Sequence, residues 1–69
     1  MRKSTAAELD EARQRTFADV ANLAGMTCAK LGQRFDIPRR TSQQWATGER
    51  TPPTYILMMM QEVLGLIKR

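Results

Sequence analysis

The sequence predicts an all-α protein of four to five short helices, and three observations carry that prediction. Thr5, Thr16 and Thr27 each stand just before a stretch of helix formers, and a threonine hydroxyl accepts hydrogen bonds from the free amides of a first turn. Gly25 and Gly48 stand where helices would stop, in the position that favours a left-handed residue. No segment reads as a strand. The chain has 69 residues, enough for one small domain that buries only about 60% of its unfolded surface.

Thr5-Ala6-Ala7-Glu8 is a capping box, with the Thr5 hydroxyl accepting from an early amide and Glu8 reaching back. The residues after it are good helix formers, but Leu9 is their only large apolar side chain. Thr16 and Asp19 suit the start of a second helix, in which Phe17, Val20, Ala21 and Ala24 share one face. Residues 5–24 read equally as one helix or as an arm followed by a short helix. Thr27 caps the next helix, with Leu31 and Phe35 inward and Lys30 and Arg34 outward. Asp36-Ile37-Pro38 interrupts it, and Pro38 suits the start of a new helix because its missing N–H is not needed there. That helix runs from about 39 to 47 and ends at Gly48. A last helix runs from about 53 or 54 to 67.

Composition removes several function classes. There is no histidine and one cysteine, Cys28, so disulfide frameworks, the usual zinc sites and histidine-based nucleophile pairs are not expected. No metal or cofactor is expected. The four glycines stand too far apart for a phosphate loop. No apolar run approaches the roughly 20 residues of a membrane span, and Arg2 and Lys3 are followed by no apolar core of a secretory signal. The seven carboxylates show no pairing that would mark an enzyme. A cytoplasmic binding module is the expectation.

The formal net charge is +4, which points to an anionic partner. The excess is not spread evenly. Residues 1–25 are balanced, whereas residues 26–51 hold Lys30, Arg34, Arg39, Arg40 and Arg50 against Asp36 and Glu49. Two short helices, a three-residue break and a basic second helix suggest a helix-turn-helix. Gly32 supplies the small residue that a close helix crossing needs. Asp36 is a tolerable left-handed residue in the turn. Leu31, Phe35, Ile37 and Trp45 are spaced to pin the unit to the core.

Residues 26–53 resemble the Cro/C1-type (Xre-like) helix-turn-helix of phage and bacterial repressors. Trp45-Ala46-Thr47-Gly48-Glu49-Arg50-Thr51-Pro52 is similar to that family's W-x-x-G-x-R-x-P ending, and Ile37-Pro38-Arg39-Arg40-Thr41 to its turn and recognition-helix start. The resemblance extends more weakly over residues 16–66. It implies a small lambda-repressor-like domain at 16–69, preceded by an extension at 1–15, helical or an arm. It also places the helix at 39–47 in the major groove, with Arg39, Arg40, Gln43 and Gln44 as base contacts. That chemistry fits independently: arginine pairs with guanine O6 and N7, glutamine with adenine N6 and N7. Thr27, Thr41 and Arg50 are the implied phosphate contacts. Cys28 joins them, standing where many members carry a phosphate-contacting glutamine. Ser42 replaces a usual core apolar residue and Asp36 a usual glycine, each at an expected cost of about 1 kcal/mol.

The last helix carries a second message. Gln61, Gly65 and Glu62 form its polar stripe, and Met58 falls within that stripe. The apolar side chains cover an arc of about 200°, twice the roughly 100° that one core needs. Half of that arc is expected to meet a second copy of the chain, through Ile56, Met59, Met60, Val63, Leu66 and Ile67. A homodimer matches two half-sites about 34 Å apart. The expected function is therefore sequence-specific binding of double-stranded DNA by a homodimeric transcriptional repressor. By analogy of size and family it suits a phage or mobile-element regulator, or an autoregulatory one that represses its own operon, acting on a palindromic operator in a bacterial cell or infected host at the nucleoid. The alternative is an antitoxin-like or protein-interaction module with an unknown protein partner and secondary DNA binding.

Overall fold

Residues 5–24 form two helices, not one. In the computed structural model, which describes residues 2–69, the chain folds as α1 (Ala6–Arg13), α2 (Phe17–Leu23), α3 (Cys28–Arg34), α4 (Arg39–Thr47) and α5 (Thr54–Val63), with no strand among the described residues. The α1–α2 break follows from two complete capping boxes. The Thr5 hydroxyl accepts from the Glu8 amide at 3.2 Å while the Thr5 amide donates to Glu8 at 3.0 Å. Thr16 and Asp19 repeat the exchange, both at 3.0 Å. Thr16 must be extended to do this (φ −86°, ψ 169°), and an extended residue ends the helix before it. The bond from the Thr5 backbone, then that from its hydroxyl, holds the Glu8 carboxyl below its ordinary range, and Arg2 adds to this. Being depressed in the folded state, Glu8 supports the cap above the ordinary carboxylate range and loses that role as pH falls through its folded value.

The main core gathers Phe17, Val20, Ala21, Leu31, Leu57 and Met60. Trp45 closes one side of it, edge-on to Phe17 with ring centroids 5.4 Å apart. A second, smaller core joins Ala12, Met58 and Ile67, with Leu9 against it. It forms because α1 lies along α5, so residues 6–13 are packed on the segment expected to stand behind them. Residue 1 of the extension expected at 1–15 lies outside the described residues. At the chain ends, the Ser4 amide donates to the Lys68 carbonyl at 2.7 Å and the Lys68 amide donates to the Ser4 hydroxyl at 2.8 Å.

That packing corrects the reading of α5. Met58, expected in an exposed polar stripe, is 2% exposed, and Gln61 is fully buried. The Gln61 amide donates to the Ala12 and Leu57 carbonyls at 3.0 and 3.2 Å, and its Oε1 accepts from Arg15 at 2.9 Å. With its oxygen and its amide nitrogen both bonded, it ties α1 to α5 without an unpaired buried group. The helix also ends at Val63, short of 67. Gly65 takes φ 77°. The Leu66 amide bonds the Gln61 carbonyl at 2.9 Å and the Gly65 amide bonds Glu62 at 3.1 Å, which is a Schellman stop. The chain then turns Ile67 inward.

The α3–α4 turn uses the same stop with Asp36 in the glycine position. Its φ is 54°, the Ile37 amide donates to the Gly32 carbonyl at 2.9 Å, and the Asp36 amide donates to Gln33 at 3.2 Å. Aspartate tolerates this region better than most residues but still carries a steric cost. Asp36→Gly is therefore expected to raise stability by up to about 1 kcal/mol, net of the extra freedom glycine has when unfolded. A urea midpoint that rises at unchanged slope would show it; a lower midpoint would mean that the Asp36 side chain contributes something glycine cannot.

Candidate nucleic-acid interface

α3 and α4 cross at Gly32 and Ser42. An added Cβ on Gly32 would lie 2.8 Å from the Ser42 Cβ and 2.9 Å from its Oγ. Ser42 is buried, and its hydroxyl donates to the Arg39 carbonyl at 3.1 Å. Only a small residue fits opposite Gly32, so serine is here the residue that permits the close approach. The expected cost of a lost apolar contact gives way to a steric requirement.

The crossing fixes which side of α4 faces outward. Arg39, Arg40, Gln43 and Thr47 are exposed, and at 100° per residue they fall on one continuous face. Gln44 lies on its flank and is half-buried, as is Thr41. Thr47 was missed by the sequence reading, although i+4 from Gln43 and i+8 from Arg39 put it on that stripe. Its hydroxyl donates back to the Gln44 carbonyl at 3.3 Å, which commits the polar group to its own helix. Among the described residues no carboxylate comes within ion-pair distance of Arg39, Arg40 or Arg50; the ion pairs join Arg2 to Glu8, Arg13 to Asp10 and Arg69 to Glu62. The positive charge of the α4 face is thus uncompensated locally.

The expected phosphate contacts differ in exposure and packing. Thr27 is exposed, and its hydroxyl accepts from the Lys30 amide at 3.1 Å as the cap of α3. Cys28 is half-buried and packs against the main core. Arg50 is exposed beyond α4, and its amide donates to the Gln44 carbonyl at 3.2 Å. Arg34 leans over the Phe35 ring at 5.9 Å.

The expected dimer residues separate more sharply. Met60 is fully buried and Ile67 is 5% exposed, each within the protomer's own cores. Neither offers a face to a partner, because the main core takes Met60 and the α1 contact takes Ile67. Ile56 and Leu66 are half-buried. Met59 and Val63 are exposed, and Tyr55 joins them at 71%, giving an i, i+4, i+8 stripe along α5. Tyr55 was missing from the expected set, although its spacing from Met59 and Val63 is readable in the sequence.

No helix among the described residues is long and apolar enough to cross a membrane. Comparison with protein-family models, curated proteins and solved structures returns no match. The five helices and the outward face of α4 are therefore the basis for a functional reading.

Proposed function

We propose that this chain is a sequence-specific double-stranded DNA-binding protein of helix-turn-helix type. In this reading α3 and α4 are the motif and α4 enters the major groove. One observation carries it: two arginines without carboxylate partners share the exposed face of α4 with Gln43. Arginine and glutamine are the side chains that pair in two-point fashion with guanine and adenine edges. Gln44, on the flank, reaches an adjacent base, while Thr27, Thr41 and Arg50 hold phosphates, which position the helix without reading sequence. In this reading the protein acts as a repressor by occupying its operator, in the manner of phage and mobile-element regulators in the bacterial cytoplasm.

Selection from a random duplex pool at two salt concentrations tests this. An enriched palindrome with a steep loss of affinity at higher salt is the expected result. Retention without enrichment would reduce the protein to a non-specific binder, and no retention at low salt would end the DNA reading.

The operator-bound form is a homodimer, joined along the Tyr55, Met59 and Val63 stripe. Val63→Lys would place a charge in that contact and is expected to weaken the dimer by about 3 kcal/mol, roughly a hundredfold. Sedimentation across a concentration series reads this directly. A variant that sediments like the parent would move the interface to another face.

A further inference from the structure

A groove of about 410 Å³ separates α3 from α4. Half-buried Cys28, Ile37 and Ala46 form its floor together with buried Ser42, and exposed Ala29, Gln33, Arg39 and Gln43 stand at its rim. No carboxylate lines it. We propose that this groove reads the C5-methyl edge of a thymine in the major groove, an inference that rests on the DNA-binding reading above.

Continuity and chemistry argue for this occupant. Arg39 and Gln43 belong both to the outward face of α4 and to the rim. If they reach purine edges, the groove lies beside a neighbouring base. Its floor offers an isoleucine, an alanine, a thiol that is at most a weak donor, and a serine hydroxyl whose proton is already given to the Arg39 carbonyl. A phosphate would find no strong donor on that floor, since the Ser42 hydroxyl already donates to the Arg39 carbonyl. A cytosine would bring its amino donor to a surface whose one hydroxyl is buried against the Arg39 carbonyl, where an unmet hydrogen bond is unfavourable. Thymine alone carries an apolar group on its major-groove edge, and its methyl loses contact with water there. With its arginine rim and no acid, the groove also accepts the negative potential of the duplex.

The test uses the full chain and duplexes enriched by selection, with each thymine replaced singly by uracil, which removes only the methyl. One thymine per half-site is expected to matter, with affinity falling about fourfold for that single replacement. Ala29→Gln places a longer polar side chain at the exposed rim and should bind the thymine and uracil duplexes equally. An enriched site that binds as well with uracil at every thymine, or that contains no thymine, would overturn the groove assignment while leaving sequence-specific binding intact. A thymine preference unchanged in Ala29→Gln would place the methyl elsewhere and would overturn it too. Failure to enrich any sequence would remove both readings together. The uracil scan needs no variant, so it decides even if Ala29→Gln binds poorly.

Discussion

Gly32→Ala is expected to lower stability by about 1–3 kcal/mol, the usual range for forcing an extra group into a filled contact. The sign is informative. Alanine is the better helix former by up to about 1 kcal/mol, so in an open position this change would stabilise α3. Here the new Cβ would meet the Ser42 Cβ at 2.8 Å and Oγ at 2.9 Å. Ser42 has little room to retreat, because it is buried and its hydroxyl is bonded to the Arg39 carbonyl. The strain must therefore move one helix against the other. For a domain of this size each kcal/mol is worth about 4–8 °C in Tm. The partner change tests the cause: Gly32→Ala combined with Ser42→Gly should cost less than the two changes summed, a coupling that distant residues do not show. A higher Tm for Gly32→Ala alone would contradict the close crossing. Because α4 carries Arg39, Arg40 and Gln43, a shifted crossing should also weaken DNA selectivity under conditions where the variant remains folded.

Features set within a few residues were legible in the sequence. The three threonine caps, the left-handed Asp36 and the limits of α4 all lie where local hydrogen bonding and steric preference put them. What the sequence could not place was the side from which each neighbour approaches α5. Its wide apolar arc was read as one core and one partner. The arc instead meets three surroundings: the main core at Leu57 and Met60, Ala12 of α1 at Ile67, and solvent at Tyr55, Met59 and Val63. Gln61 shows why periodicity alone fails there. A glutamine in a polar stripe reads as solvated, and beside the local Leu57 carbonyl it is the Ala12 carbonyl and the Arg15 guanidinium, 49 and 46 positions away, that make its burial favourable. The role of Ser42 was hidden for a related reason, since its size matters only against Gly32. For the candidate site, the resemblance over residues 37–52 implied Arg39, Arg40 and Gln43, which lie exposed on one face of α4. The half-burial of Gln44 and the exposure of Thr47 depend on where α2 and α3 contact α4.

Arg39→Ala and Arg40→Ala should each weaken binding to the selected operator by about 1–3 kcal/mol, roughly tenfold to more than a hundredfold, and relax the preference at one base pair. Neither change should disturb the fold, since both side chains are exposed and neither has a carboxylate partner among the described residues. Loss of a structural ion pair is therefore not available as an explanation of weaker binding. Arg50→Ala supplies the contrast. It is equally exposed but lies beyond α4, as a proposed phosphate contact. It should weaken binding to every sequence alike and reduce the salt dependence by about one charge, without changing which base pairs are preferred. The three variants thus differ in pattern as well as in size. If Arg39→Ala and Arg40→Ala also lower all sequences uniformly, α4 touches the backbone and sequence is read elsewhere. If both bind every duplex as the parent does, α4 is not in the groove, and its uncompensated charge must answer to a different anionic partner.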